Sequence, residues 1–91
     1  MTVYVGPVIV CQQTRRWRWN QVAHLYADSD AELLDFAIGI GLKVGWFQPG
    51  AKRPHFDLTP SMRTKAVRAG AVEHDVHQEV EFHRKLRGVG I

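Results

Sequence analysis

Two helix-start signals divide this chain and leave only short apolar runs between them. Ser29-Asp30-Ala31-Glu32 has the pattern of a capping box. There the serine hydroxyl accepts from an orphan backbone N–H, the glutamate reaches back, and both acids suit the positive helix end. Thr59 followed by Pro60 is the second signal, an N-cap hydroxyl before a residue whose φ is already helical. Behind the first signal, Leu33, Leu34, Phe36, Ala37 and Ile40 span a wide apolar face that ends at Gly39 or Gly41, with Gly41 the better left-handed cap. Behind the second, Met62, Ala66 and Ala69 form a buried stripe that Gly70 stops. A third helix starts at Val76, with Val76, Val80, Phe82 and Leu86 along one side and Glu81–Lys85 as an i,i+4 pair.

The remaining apolar runs have strand length and strand composition. TVYV at residues 2–5 is stopped by Gly6-Pro7, and VAHLYA at residues 22–27 is the best internal strand. Residues 8–11 form a second short strand or a buried loop. Residues 44–48 return as a strand or an ordered turn, residues 49–54 make a polar loop, and residues 71–73 supply a last strand. The order predicts an α/β fold, with α+β as the alternative: a small central sheet of three to four short strands and three helices in one pair of layers. Residues 1–87 form one domain and 88–91 a C-terminal tail.

Composition narrows the function classes. The chain is 45% hydrophobic, enough for one small core, and at 91 residues a homodimer is a natural way to add buried area. Cys11 is the single cysteine, which excludes an internal disulfide and a multi-thiolate metal site. No run approaches the ~20 apolar residues that cross a bilayer. With no signal-peptide pattern either, the expected location is the cytoplasm, without a membrane partner. A net charge of +3 suits an anionic partner, such as nucleic acid or a phosphate ligand, without demanding one.

Three constellations can carry chemistry. His55, Thr59 and Arg63 surround the start of the second helix, where backbone N–H groups and a guanidinium suit an anion. The plain alternative is that Asp57 bonds the backbone and pairs with Arg63. His24 and Asp28 lie on the internal strand; if the chain brings them to His55 and Asp57, the four residues have the ligand types for Zn²⁺ or Mn²⁺. His24, His55 and Asp57 equally suit acid–base work in phosphoester cleavage. The alternative is a packed, hydrogen-bonded strand histidine. Third, Arg15, Arg16 and Arg18 interleave with Trp17 and Trp19, the two indoles on one side of an extended ribbon and the Arg16 and Arg18 guanidiniums on the other. Such a ribbon binds phosphates and stacks on bases, or it buries at least one indole in the core. His74, His77, Glu81 and His83 read more simply as a solvated helix face, with Glu79 and His83 another i,i+4 pair, and Cys11 as an inert thiol.

The ordered set His24-Leu25-Tyr26-Ala27-Asp28, Glu32-Leu33, Phe36-Ala37, Trp46-Phe47-Gln48, His55-Phe56-Asp57-Leu58, Arg63 and Gly70-Ala71-Val72 resembles the small bacterial and phage proteins grouped as domain of unknown function 4031. The resemblance covers residues 2–73 and implies a bacterial, phage or prophage origin, so the expected cytoplasm includes that of a host. It implies no activity. The usual pattern of that family puts an Asp pair straight after the first strand, where this chain has Gly6 and Pro7. A carboxylate-bound metal loses support accordingly, while His24, Asp28, His55 and Asp57 keep the pattern. The leading reading is therefore a non-catalytic basic module that binds nucleic acid or another phosphate-rich partner. A metal-dependent phosphoester hydrolase or nuclease, with a divalent ion as cofactor, is the rival. A phage protein that binds a host protein without chemistry is the third. Whether the chain is an enzyme stays open on sequence alone.

Overall fold

A computed structural model describes residues 2–15, 17–47 and 54–88, the last three without their side chains. Among these, β1 (Val3–Val5), β2 (Ile9–Val10) and β3 (Gln21–Ala27) come first, followed by α1 (Asp30–Gly39) and a 3-10 turn at Val44–Trp46. After these come β4 (Phe56–Leu58), α2 (Pro60–Arg68), β5 (Val72–Glu73) and α3 (Val76–Gly88). The expected tail therefore begins inside α3, and its residues past Gly88 lie outside the described ones.

β3 is the beam of the sheet. It pairs antiparallel with β1, β2 and β4, while β1 carries β5 in parallel. Antiparallel pairs dominate and the five strands are mixed in direction, so the α+β alternative describes the fold. Leu25 pairs with both Val5 and Phe56, which sets β1 and β4 on opposite edges of β3. Between β1 and β2 the register against β3 slips by one residue, so Gly6–Val8 hold one residue more than the facing strand. Extra residues of this kind bend a strand and re-aim its side chains. Residues 56–58 pair as a strand because Ala23, His24 and Leu25 offer them a register.

The helix ends follow their signals. Ser29 Oγ accepts from Glu32 N and Thr59 Oγ1 from Met62 N, while Pro60 occupies the first turn of α2. Gly41 and Gly70 stop their helices with φ of 94° and 111°, a backbone region costly for any residue with a Cβ. Glu32 completes its capping box only by half, since its Oε2 is buried with no hydrogen-bond partner among the described residues.

Strand alternation sorts the side chains into two faces. Val5, Ala23, Leu25, Ala27, Phe56 and Leu58 point into one cluster with Leu33, Ala37, Ile40 and Ala66 of α1 and α2. Tyr4, His24 and Tyr26 point the other way, toward α3. That side was not legible as a core. Val76 and Val80, expected on the buried side of α3, are more than half exposed, whereas Glu79 and His83 are buried. The reason is the surface they meet: Tyr26 packs against Phe82 and His83 at ring separations of 5.0 and 4.5 Å, and His24 bonds to Glu79. A sheet face carrying a histidine and phenol hydroxyls is matched by polar side chains better than by valines. Tryptophan contributes little to the interior, against the expectation of a core indole. Trp17 is half-buried, and Trp19 and Trp46 are exposed.

Leu25→Ala removes a fully buried side chain from the centre of the sheet and is expected to cost about 2–5 kcal/mol. Val80→Ala, on the exposed side of α3, is expected to stay within about 0.5 kcal/mol. Urea unfolding of both variants checks the assignment of faces.

Candidate metal centre

The candidate centre forms where β3 and β4 pair. His24 lies mid-strand in β3, and its register partner in β4 is Asp57. His55 precedes Asp57 by two residues and so shares its side of the sheet. The rings of His24 and His55 stand 5.0 Å apart at 70°. Asp57 Oδ1 lies 3.7 Å from His24 Nε2 and 3.2 Å from His55 Nε2. One ligand atom from each of the three residues falls within 4.8 Å of the other two.

Those spacings can be compared with what an ion requires. Two donors on a tetrahedral Zn²⁺ at about 2.0–2.2 Å from the metal are themselves about 3.3–3.6 Å apart. Both carboxylate–imidazole distances bracket that range. The widest separation would need to close by about an ångström, a small rotation for half-buried imidazoles. Two imidazoles and one carboxylate suit Zn²⁺, Mn²⁺ or Fe²⁺, and three protein ligands leave coordination positions for a substrate or water. Residues and chemistry fit the group.

His24 is held from behind. Its Nδ1 lies 2.8 Å from Glu79 Oε2, so Nδ1–H donates to the carboxylate and Nε2 is left on the side of Asp57. This is the carboxylate–histidine arrangement that fixes the tautomer and basicity of metal-ligating histidines. Glu79 also lies 3.8 Å from His83 Nε2. Burial works against ionisation of Glu79, but the hydrogen bonds and charge of His24 and His83 outweigh it and hold the carboxyl down at about 2.

Gly6 makes room for this contact. A Cβ built on Gly6 would fall inside van der Waals contact with Glu79 Oε1. The Glu79 carboxylate from α3 thus occupies the space a side chain at position 6 would fill. Gly6 N–H donates to His24 O at 2.9 Å, and Gly6 O accepts from Arg63 Nε at 2.7 Å. Arg63 Nη1 donates to Glu73 at 3.0 Å, so its acidic partner is Glu73 rather than the expected Asp57. Its guanidinium is fixed two hydrogen bonds from the His24 backbone.

The other expected site residues lie apart from this cluster. Asp28 lies one residue past the end of β3, four residues from His24, and accepts from Tyr4 OH at 3.3 Å; it is not among the gathered ligands. A strand advances about 3.3 Å per residue, which puts Asp28 on the order of 13 Å from His24. The Thr59 hydroxyl is engaged as the α2 cap. His74 accepts from Tyr26 OH at 2.7 Å. Burial lowers the His74 pKa and, with the nearby Glu79 charge, pushes Tyr26 above the ordinary phenol range, which keeps the imidazole neutral and the phenol a donor. Arg15, Trp17, Arg18 and Trp19 belong to the β2–β3 hairpin, and Arg16 lies outside the described residues. Trp17 and Trp19 touch edge-on at 4.8 Å, but Arg18 folds over Trp19 at 5.0 Å rather than pointing to the opposite side. Cys11 is half-buried, with its sulfur 3.7 Å from Trp19 O.

Sequence reasoning missed Glu79 and His83 as site neighbours, because an i,i+4 acid–histidine pair on a helix ordinarily faces solvent. The usable signal was Gly6 itself, a strand-end glycine that admits a close approach.

The chain belongs to the family described as Protein of unknown function (DUF4031), whose model matches residues 3–86. No curated protein and no solved structure matches the chain.

The depressed Glu79 pKa has a defined sign. Its stabilisation is fully present above the ordinary carboxylate value of 4.5 and is lost as pH falls through about 2. Glu79→Gln is expected to lower stability at pH 7 by about 2 kcal/mol, the worth of a hydrogen bond to a charged group. The gap between wild type and variant should shrink steadily below pH 4.5, read by urea midpoints at a series of pH values. Gly6→Ala is expected to cost about 1–3 kcal/mol through overpacking. In a Glu79→Ala background most of that cost should vanish, a coupling that a double-mutant cycle measures.

Proposed function

We propose that this protein is a metal-dependent phosphoester hydrolase that takes a divalent transition ion on His24, His55 and Asp57. The observation that carries the reading is the convergence of two imidazoles and a carboxylate from β3 and β4, with Glu79 behind His24. Pairing with Asp57 and Glu79 alone would serve a packed strand histidine. It would not require a second imidazole to bring its Nε2 to the same carboxylate oxygen.

The bound ion would supply Lewis acidity to a phosphoryl oxygen and a lowered pKa to coordinated water. The chain's own residues supply placement. Glu79 holds the His24 ring so that Nε2 faces Asp57. Asp57 sits between the two histidines and brings the negative charge that a dication needs. Arg63, clamped by Gly6 O and Glu73, sets a fixed positive charge near the end of β1, where it favours an anionic substrate. The net charge of +3 acts in the same direction. The convergence of His24, His55 and Asp57 is what favours the hydrolase reading over the non-catalytic basic module. A host-protein partner, a homodimer and a phage origin rest on no feature of this centre.

Titration of metal-free protein with Co²⁺ and Zn²⁺, followed by absorbance and calorimetry, tests the ligand set. One ion per chain is expected, with affinity falling at least about tenfold in His24→Ala, His55→Ala and Asp57→Ala. The loaded protein is expected to hydrolyse bis(p-nitrophenyl) phosphate, and Arg63→Ala to raise KM more than it lowers kcat. Absence of stoichiometric binding, together with no turnover under Zn²⁺, Mn²⁺ or Mg²⁺, contradicts the proposal.

A further inference from the structure

The β2–β3 hairpin extends well past its two strands. Cys11 N–H donates to Asn20 O at 2.9 Å and Thr14 N–H to Trp17 O at 2.7 Å, closing the ladder at a tip that holds Arg15. Gln13 Nε2 braces it by donating to Arg18 O at 2.6 Å. Trp17 Nε1 donates to Gln21 O at 3.0 Å, which locks the half-buried indole onto the first residue of β3. Trp19 rests edge-on against it, is 41% exposed, and carries the Arg18 guanidinium over its ring. Residues 11–20 contain three arginines, two tryptophans and no acid.

We infer that the substrate is a single-stranded nucleic acid, whose bases stack on Trp19 and whose phosphates pair with Arg15 and Arg18. The inference rests on the hydrolase reading and names the substrate of that centre. Three observations meet here. An indole ordered by a neighbouring ring is a ready stacking platform, and stacking needs a base that is free of a duplex. A cationic segment without acids complements a polyanion but not an apolar or basic partner. The platform is also continuous with the centre, because Gln21, bonded to Trp17, is three residues from His24 on the same strand. At about 3.3 Å per residue Gln21 lies roughly 10 Å from His24 and Trp19, two residues further back, roughly 16 Å, within reach of one strand that spans both.

The test is fluorescence anisotropy with labelled oligothymidylate, oligouridylate and a mixed-sequence DNA duplex, on metal-free protein so that binding precedes cleavage. Both single strands are expected to bind more tightly than the duplex. Trp19→Ala should lower single-strand affinity about tenfold. Arg18→Ala should reduce the slope of log K against log salt by about 0.7. Cleavage of the bound strand should then appear on loading with Zn²⁺ or Mn²⁺. Equal or tighter binding of the duplex, or no effect of either variant, overturns the inference. Turnover of bis(p-nitrophenyl) phosphate without binding or cleavage of either oligonucleotide overturns it while leaving the hydrolase reading in place. Oligonucleotide binding by a protein that takes up no metal and cleaves nothing overturns both.

Discussion

The hydrogen bond between His24 and Glu79 joins the two halves of this molecule. On one side of the sheet, α1 and α2 close an ordinary apolar core. On the other, α3 docks with its valines outward and reaches the sheet through a carboxylate, an imidazole and Phe82. Removing one partner of a buried hydrogen bond to a carboxylate costs more than the bond's net worth, since the survivor keeps its desolvation penalty. The second face therefore has little tolerance for loss of Glu79. The same bond also turns Nε2 of His24 toward Asp57 and His55. One contact thus serves the docking of a helix and the chemistry of a site.

Gly6 is the local condition for that contact. At the end of β1 it gives its N–H to the His24 carbonyl and its carbonyl to Arg63, and its lack of a side chain leaves space for Glu79. The extra residue between β1 and β2 falls at this same place. Strand end, bulge, arginine and carboxylate meet around the backbone of His24, so the site is supported by rigid elements and not by loops alone.

How much of this the sequence disclosed depended on how local each signal is. Ser29, Thr59 and Pro60 start helices through contacts spanning three residues, and Gly41 and Gly70 stop them through their own φ. All five were legible. The placing of His55 beside Asp57 was legible too, since two residues of a strand share a side. The meeting of His24 with Asp57 was not, because it follows from the β3–β4 register, a pairing of segments more than thirty residues apart. Glu79 escaped for a different reason. Hydrophobic periodicity assumes that buried helix positions are apolar, and here the valines stay outside because the facing strand surface carries His24, Tyr4 and Tyr26. Asp28 shows the limit of reading a strand end as a ligand position, since its carboxylate accepts from Tyr4 instead.

β3 emerges as the element that organises the proposed activity, leading from the Trp17 anchor through His24 to the aromatic packing around Tyr26. The central claim is that Glu79 presets His24 for an ion shared with His55 and Asp57. Long-range ¹H–¹⁵N correlation of the imidazole nitrogens examines it directly, before and after one equivalent of Zn²⁺. The account predicts an Nδ1–H tautomer for His24 in the free protein. It further predicts concerted shifts at Nε2 of His24 and His55 on adding the ion, with exposed His77 unchanged. An Nε2–H tautomer at His24, or a response confined to His77, would contradict it.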